Sequence, residues 1–372
     1  MSKKVSIKKK LSVVLALMLV SVMVAGCSGT SATKNENKET ASTSQTTQQQ
    51  SEGNSKDTGK AEGFADNYKF AVVKGGINPY FTPVDQAVKD AAKEYGIPEP
   101  LVQSPQNWNQ NEQNTILDGL VAQGIKGITL CTSDPVAGNE EISKIVDSGV
   151  PVVTFAMSPE QPSKASFCLA TDVADSAYQG TKHLIEAMGK KGNIVHLTGN
   201  LTDGNTKKRM DAVEKAISEY PDVKLIQTIT DIDVAEAAQN AVNSLFAAKR
   251  NEMDGIISTA YIPSVAVANA MRKLNETRIK VVGIDTDKIV IDAIKDGYLV
   301  GTMAQNPYGQ AYLGVYSLKL FADGYKWKKD APFLVDSGTL YIDKSNANIY
   351  EEELSKLTKD MAESWKDTYF EK

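Results

Sequence analysis

Short apolar runs and amphipathic stretches alternate along the chain from Tyr68 onward. FAVV is followed by a helical pattern over Pro83–Tyr95, LVQ by one over Gln110–Gln123, and ITLC by one over Asn139–Asp147; VPVVTFAM and SFCLA complete the series. The pattern over Pro83–Tyr95 puts Val84, Ala87, Val88, Ala91, Ala92 and Tyr95 on one face, with Lys89, Asp90, Lys93 and Glu94 opposite. That is the i, i+3, i+4, i+7 spacing of an amphipathic helix. Strands that alternate with helices in this way specify a parallel sheet flanked by helices.

A second series of similar size starts at Asp175. It runs helix to Met188, strand NIVHL, helix Asn205–Tyr220, strand KLIQTIT, helix Ala235–Ala248, strand GIIST, helix Pro263–Leu274, strand KVVGI, helix Lys288–Asp296 and strand LVGTMA. Two such sets predict an α/β protein of two doubly wound parallel-sheet lobes, in which ligands bind beyond the carboxyl ends of the strands. Residues just after each strand are therefore the site candidates. Past Gln305 the pattern gives a helix over Gln310–Phe321, the apolar runs PFLV and TLYI, whose sheet it leaves open, and a charged amphipathic helix over Asn346–Lys372.

The first 66 residues follow neither pattern. Lys3, Lys4 and Lys8–Lys10 precede an apolar stretch from Leu11 to Val24, which ends in Ala25 and Gly26 before Cys27. This is the layout of a secretory signal peptide over residues 1–26. A permanent membrane helix is the weaker reading, because a bilayer core needs about 20 apolar residues. From Ser28 to about Asp66 the chain is Ser, Thr, Asn, Gln, Glu, Lys and Gly, too polar to offset the entropy of ordering. As a flexible tether it would reach roughly 35 Å.

About 305 residues remain, more than one hydrophobic core usually spans, which again favours two lobes. A net charge of −5 and 7% aromatic residues argue against a nucleic-acid partner. Beyond Cys27 the only cysteines are Cys131 and Cys168, each inside an apolar run, so no disulfide is expected.

Seven blocks resemble, in order, the type 1 periplasmic binding proteins for sugars, the ribose- and galactose-binder group of ABC importers: FAVVKGGINPYF, DGLVAQGIKGITL, SGVPVVTF, ATDVADSAYQG, HLTGNLTDGNTKKRMDAV, VVGIDTD and VGTMAQNPYGQ. The resemblance covers roughly Tyr68 to Asp343. It implies two lobes joined by a three-stranded hinge, with crossings near Ala170–Asp172, Gln305–Pro307 and Asp336 and the ligand cleft between them. The implied division is 67–172 plus 306–335 for the N-terminal lobe and 173–305 plus 336–345 for the C-terminal lobe, with 346–372 as a helical extension. Val24-Ala25-Gly26-Cys27 resembles the bacterial lipobox, which implies diacylation of Cys27 and a lipid-tethered, extracytoplasmic protein. Two acyl chains hold a protein on a membrane where one holds it only marginally.

By the same resemblance, the turn Asn78-Pro79-Tyr80-Phe81 supplies a polar group and flat rings to the C–H face of a sugar. Packing at a helix start is the competing reading of the two rings, and Asn78 suits a turn equally well. Arg209, in Arg209-Met210-Asp211-Ala212-Val213, stands where the family has R-x-x-G-F and binds ligand hydroxyls. Only four arginines occur in the chain, so its placement in a helix N-terminal turn fits a need for a planar, multi-donor fork; a solvated surface Arg is the alternative. Asp285 and Gln305 align with positions that hydrogen-bond ligand hydroxyls, and an acceptor beside a bifunctional amide suits vicinal diols. Lys74 matches a subgroup that binds rhamnose-like sugars or a furanose signal, although Lys after a strand is commonly just exposed. Two departures stand out: Ala156-Met157 replaces the usual Asp-Arg, and Ala260-Tyr261 replaces Asn-Asp. Half of the polar clamp is then missing, which points to a smaller, less polar or deoxy sugar.

Other chemistry finds little support. Gly199–Thr206 reads G-x-x-x-x-G-N-T, with Asn205 where a phosphate-binding loop needs Lys. The two histidines, His183 and His196, have no ligand-spaced partners, so no metal is expected. No nucleophile–base set stands out and no cofactor is expected. Repressors share the two-lobed fold, so the fold alone does not give transport. The implied function is a monomeric solute-binding lipoprotein that hands its ligand to an ABC permease. A sensory lipoprotein read by a histidine kinase or chemoreceptor is the alternative.

Overall fold

The computed structural model describes residues 66–201 and 203–372. The signal peptide, the lipobox Cys27 and the tether, apart from its end at Asp66, lie outside the described residues.

Two six-stranded sheets organise the chain. The first contains β1 (Phe70–Val73), β2 (Leu101–Gln103), β3 (Gly127–Leu130), β4 (Val152–Phe155), β5 (Cys168–Ala170) and β12 (Leu334–Asp336), in the order β12-β5-β4-β3-β1-β2 and all parallel. The second contains β6 (Gly192–Leu197), β7 (Val223–Ile229), β8 (Gly255–Ser258), β9 (Lys280–Ile284), β10 (Gly301–Gln305) and β13 (Thr339–Asp343), in the order β13-β10-β9-β8-β6-β7. Only β13 runs antiparallel. The run PFLV thus feeds the first sheet and TLYI the second, a choice made by pairing partners distant in sequence. In each sheet the strand order reverses beside the first strand, between β1 and β3 and between β6 and β8. Open α/β sheets bind ligands at such reversals.

Helices cover both faces of each sheet, which is why β1, β3, β4, β5 and β8 are buried throughout. In the first lobe α1 (Val84–Tyr95) and α9 (Pro307–Ala322) cover one face, and α2 (Gln110–Ala122) with α3 (Ala137–Asp147) the other. In the second, α4 (Val173–Ala187) and α5 (Gly204–Ser218) lie opposite α6 (Ala235–Lys249), α7 (Tyr261–Lys273) and α8 (Lys288–Lys295). The pattern places the start of α9 three residues late. Pro307 sits at its first position and the side chain of Asn306 accepts from Gly309 N, so the chain enters the helix directly from β10.

The chain passes between the sheets three times, after β5, at Asn306 and between β12 and β13, and the passages are tied together. Ser337 N donates to Ala170 O (2.9 Å) and Asp172 N to the Asp336 carboxylate (3.0 Å). Asn306 Nδ2 donates to Ser337 O (2.9 Å) and to Thr358 Oγ1 (3.1 Å). Asn306, Gln310, Ser337 and Thr358 are all buried.

The C-terminal segment is more than an appended helix. The helix α10 runs over Tyr350–Tyr369, and the final strand β14 (Phe370–Glu371) pairs antiparallel with β11 (Lys326–Trp327). Tyr350 and Leu354 pack with the core of the second lobe, whereas Trp365 and Phe370 pack with that of the first. Trp327 stacks on Phe167 at 3.7 Å, and Trp365 donates its Nε1–H to Ser317 Oγ at 2.9 Å. The helix therefore spans both lobes. Truncating Trp365 to Ala removes a buried ring and a hydrogen bond. It is expected to cost about 3–5 kcal/mol, measured as a drop in the first lobe's unfolding midpoint in urea.

Candidate ligand-binding site

The candidate residues lie toward the carboxyl ends of the two sheets, most of them in the turns that follow the strands, with Gln305 at the end of β10 and Arg209 inside α5. A cavity of about 250 Å3 brings Tyr80, Tyr261, Asp285 and Gln305 together, with Asp287, Pro307 and Tyr350 also in its wall. A larger cavity of about 780 Å3 adjoins it, between the start of α1, the Gln305–Tyr308 crossing and α10. Half of its lining residues belong to α10, and of the candidate residues only Gln305 reaches it, so the smaller cavity is the one where the sheet-end groups converge.

Each polar group in the smaller site has a distinct setting. Tyr80 donates its hydroxyl to Gln310 Oε1 (2.9 Å), and Gln310 Nε2 donates to Ser337 Oγ (3.0 Å), which joins the site to the crossings. Burial, reinforced by the nearby Asp285 charge, pushes the Tyr80 phenol far up, so it stays a neutral hydroxyl. Asp285 accepts from Gln305 Nε2 at 2.8 Å. Burial raises its carboxyl pKa, while the Gln305 hydrogen bond and the Arg209 charge oppose the shift. Tyr261 donates to Asp287 at 2.6 Å, and burial together with that bond raises its phenol.

Arg209 lies in the second turn of α5 rather than the first. Its charge reaches Tyr80, Asp285 and His196. Its Nε is buried with no hydrogen-bond partner among the described residues. A stranded donor of this kind costs about 1–3 kcal/mol, which a ligand acceptor would recover.

Backbone strain marks equivalent places in the two lobes. Ala156 has φ +62° and Asp285 φ +67°, each the first residue past the fourth strand of its lobe. A left-handed non-glycine residue costs about 1–2 kcal/mol, and such strain concentrates at ligand sites. Both backbones are pinned to the neighbouring strand, Ala156 N to Leu169 O (2.8 Å) and Asp285 N to Met303 O (2.9 Å). The same turn thus presents a methyl, next to Met157, in one lobe and a carboxylate in the other.

Other predicted residues have different placements. The Asn78 side chain accepts from Tyr80 N at 2.9 Å and caps the 3-10 turn Pro79–Phe81. Phe81 is 2% exposed and packs against Trp108 and Phe155. Lys74 places its ammonium 2.9 Å from the Asp85 carboxylate. Ala260 is buried at the start of α7. Cys131 and Cys168 are buried free thiols, and burial pushes both up to about 12. In the loop over Gly199–Thr206 the N–H groups of Asn200 and Leu201 donate to Asp233 and Asp231, so carboxylates already take donors that a phosphate would need.

Sequence reasoning missed the groups that support the site. Gln310 lies inside a helix, and His196 and Thr259 inside or just past strands. His196 Nε2 lies 2.8 Å from Thr259 Oγ1, which in turn donates to Thr198 Oγ1 (3.0 Å). Thr259 can then accept from His196 only if Nε2 carries the proton. Burial, helped by Arg209, pushes the imidazole down to about 3.

Comparisons with known proteins agree with this layout. A family model described as a periplasmic binding protein domain matches residues 70–326. A xylitol-binding protein of Mycolicibacterium smegmatis is 22% identical over 285 residues, 77% of this chain and 80% of that protein. A D-apiose import binding protein of Actinobacillus succinogenes is 26% identical over 288 residues, 76% of this chain and 91% of that protein. A sugar-binding protein of a Bacillus halodurans sugar ABC transporter has a similar structure, with a TM-score of 0.70 at 21% identity over 76% of this chain and 99% of that one. The structural likeness bears out the two-lobed α/β fold. The C-terminal helix lies beyond the family match.

The His196 setting predicts a pH effect. The folded state holds the imidazole neutral down to about 3, while the unfolded chain protonates it near 6.5. Between those values the unfolded state binds more protons, so stability falls as pH falls. The slope from this group is about 1.4 kcal/mol per pH unit. Urea unfolding of His196→Gln against wild type is expected to show a shallower loss across that window.

Proposed function

We propose, from the premise that the chain belongs to the periplasmic binding protein domain family, that it is an extracytoplasmic solute-binding lipoprotein of an ABC importer. Its ligand is a neutral, polyhydroxylated molecule, a monosaccharide or deoxysugar. The lobes, 67–172 with 306–335 and 173–305 with 336–345, close on it, and a permease takes it from the closed form. The protein carries its solute and does no chemistry on it.

One observation carries the reading: the buried, unpartnered Nε of Arg209, whose charge acts on the half-buried carboxylate of Asp285, itself held by Gln305. A guanidinium that donates and a carboxylate that accepts satisfy neighbouring hydroxyls, and their opposite charges favour a neutral ligand. An anion would gain from Arg209 and be repelled by Asp285. At the equivalent turn of the first lobe stand Ala156 and Met157, apolar and half-buried against that lobe's core. A ligand with fewer hydroxyls on that side loses less on leaving water. Relatives named for xylitol, D-apiose and D-allose fit this class. Ligand contacts to both lobes would then select the closed state.

A thermal-shift screen of the domain from Asp66 against pentoses, hexoses, deoxysugars, polyols, nucleosides and amino acids tests the assignment. A rise of several degrees with a sugar or polyol is expected, because a ligand that binds only the native state stabilises it. Shifts confined to nucleosides or amino acids would sink the carbohydrate reading. With the ligand in hand, Arg209→Ala should weaken binding by about tenfold to a hundredfold or more without lowering the apo melting temperature. Anchoring is tested separately. Cys27→Ala in the full chain should leave binding intact and move the protein from the membrane to the soluble fraction, whereas continued retention would indicate an uncleaved helix.

A further inference from the structure

An aromatic side chain lies over the turn that follows β1, at the carboxyl end of the first sheet. Trp108 sits in the loop between β2 and α2, and 45% of it is exposed. Its indole lies along Gly75 and Gly76, the turn that follows β1. A Cβ on Gly75 would come within 2.6 Å of Trp108 Cζ3 and 3.2 Å of Cys131 Sγ, and one on Gly76 within 2.7 Å of Trp108 Cδ1. The six-membered ring therefore covers Gly75 and the pyrrole ring covers Gly76. Two consecutive residues without side chains are what allow the ring to lie flat against the backbone. Gly75 follows β1 and Cys131 follows β3, so the indole rests on the strand-order reversal of this lobe, where such sheets place their ligands.

The ring is also held in place. Asn107 N and Nδ2 donate to the two carboxylate oxygens of Glu112 (3.2 and 3.1 Å), and Asn109 caps α2 through Asn111 N and Glu112 N. Ser133 Oγ donates to Gly75 O at 2.6 Å and fixes the surface beneath the ring. Phe81 backs it at 6.0 Å, inclined by 31°. A scattered exposed apolar residue needs no explanation. Trp108 differs because its loop and its seat are both constrained.

We infer that Trp108 is a ligand-stacking residue that sets specificity, a flat plate for the C–H face of a cyclic sugar, while Arg209 and Asp285 take hydroxyls from the opposite lobe. The inference rests on the proposed sugar-binding function. A ring prefers a partner that offers a flat, apolar face, so Trp108 favours cyclic sugars over open-chain polyols, which have no fixed face.

Calorimetric titration with D-ribose, D-allose, L-rhamnose and xylitol, on wild type, Trp108→Ala, Trp108→Phe and Gly76→Ala, tests it. Trp108→Ala should weaken the best cyclic sugar by about tenfold or more and xylitol by less, and Trp108→Phe should lie between Trp108→Ala and wild type. Gly76→Ala keeps the indole but pushes it off its seat, and should also weaken the cyclic sugar. Emission gives an independent readout. The chain has three tryptophans, and Trp327 and Trp365 pack together beside Phe167, at the amino end of β5 and away from the cleft. A sugar-induced change in tryptophan emission should appear in wild type and vanish in Trp108→Phe. Sugar affinity that is unchanged in folded Trp108→Ala, or an emission change that persists in Trp108→Phe, overturns the stacking role and leaves the sugar-binding reading standing. Wild-type protein that binds none of the four probes and responds to no sugar or polyol in the thermal screen overturns both.

Discussion

The arrangement of the molecule depends on one buried polar cluster where the chain passes between its two sheets. Asn306 spends both amide hydrogens on Ser337 O and Thr358 Oγ1, and its oxygen accepts from Gly309 N. Gln310 donates to Ser337 Oγ and accepts from Tyr80. Every member is sequestered from water, so an unpaired group here costs the full price of desolvation. Pulling the crossings apart would leave these groups unpaired. The second crossing, the third crossing, the C-terminal helix and the candidate site therefore form one connected unit. Even the small side of Gly309 is used, since a Cβ there would come within 2.7 Å of Thr358 Oγ1.

The cleft that this cluster supports is asymmetric, and the asymmetry has a clear origin. Both lobes have the same strand order and the same strained residue after their fourth strand, held by the same bond to the fifth. In one lobe that residue is Asp285, beside Gln305 and Arg209; in the other it is Ala156, beside Met157. Equivalent backbones thus present opposite chemistry. A ligand that satisfies both has hydroxyls along one edge and C–H surface along the other, and the aromatic plate of Trp108 answers the second requirement. Burial enforces the division. It keeps Tyr80 protonated and His196 neutral, so Arg209 and Asp285 are the charges among these groups.

Much of this was legible in the sequence, because strands and helices follow local periodicity and a site at strand ends follows from the alternation itself. Tyr80, Asp285, Gln305 and Tyr261 could be picked out and do meet around one cavity. What the pattern could not supply was decided by contacts between distant segments. Lys74 looks free until α1 brings Asp85 beside it. Phe81 and Tyr80 are adjacent and aromatic, yet one enters the core and the other faces Gln310, more than two hundred residues away. Trp108 offered no local signal, since its role comes from lying across two glycines of another loop. The runs PFLV and TLYI have the same apolar pattern and separate only through their partners, β5 for one and β10 for the other.

The C-terminal helix shows the same principle at larger scale. Its charged, amphipathic sequence predicts a surface helix, and most of its acidic side chains do face outward. Its apolar positions, however, fall into two groups along its length rather than one continuous stripe against a single core. Leu354 meets one lobe and Trp365 the other, and Thr358 sits between them, where it bonds to Asn306. The helix is thus held at both ends and at the crossing, where Thr358 accepts from Asn306. The anchors are unequal: Trp365, Trp327, Tyr369 and Phe370 form an aromatic cluster in the first lobe, closed by the β11–β14 pair, against Tyr350 and Leu354 in the second. The first lobe therefore holds the helix through more aromatic contacts than the second, and the helix meets Asn306 at the same crossing to which Gln310 couples Tyr80.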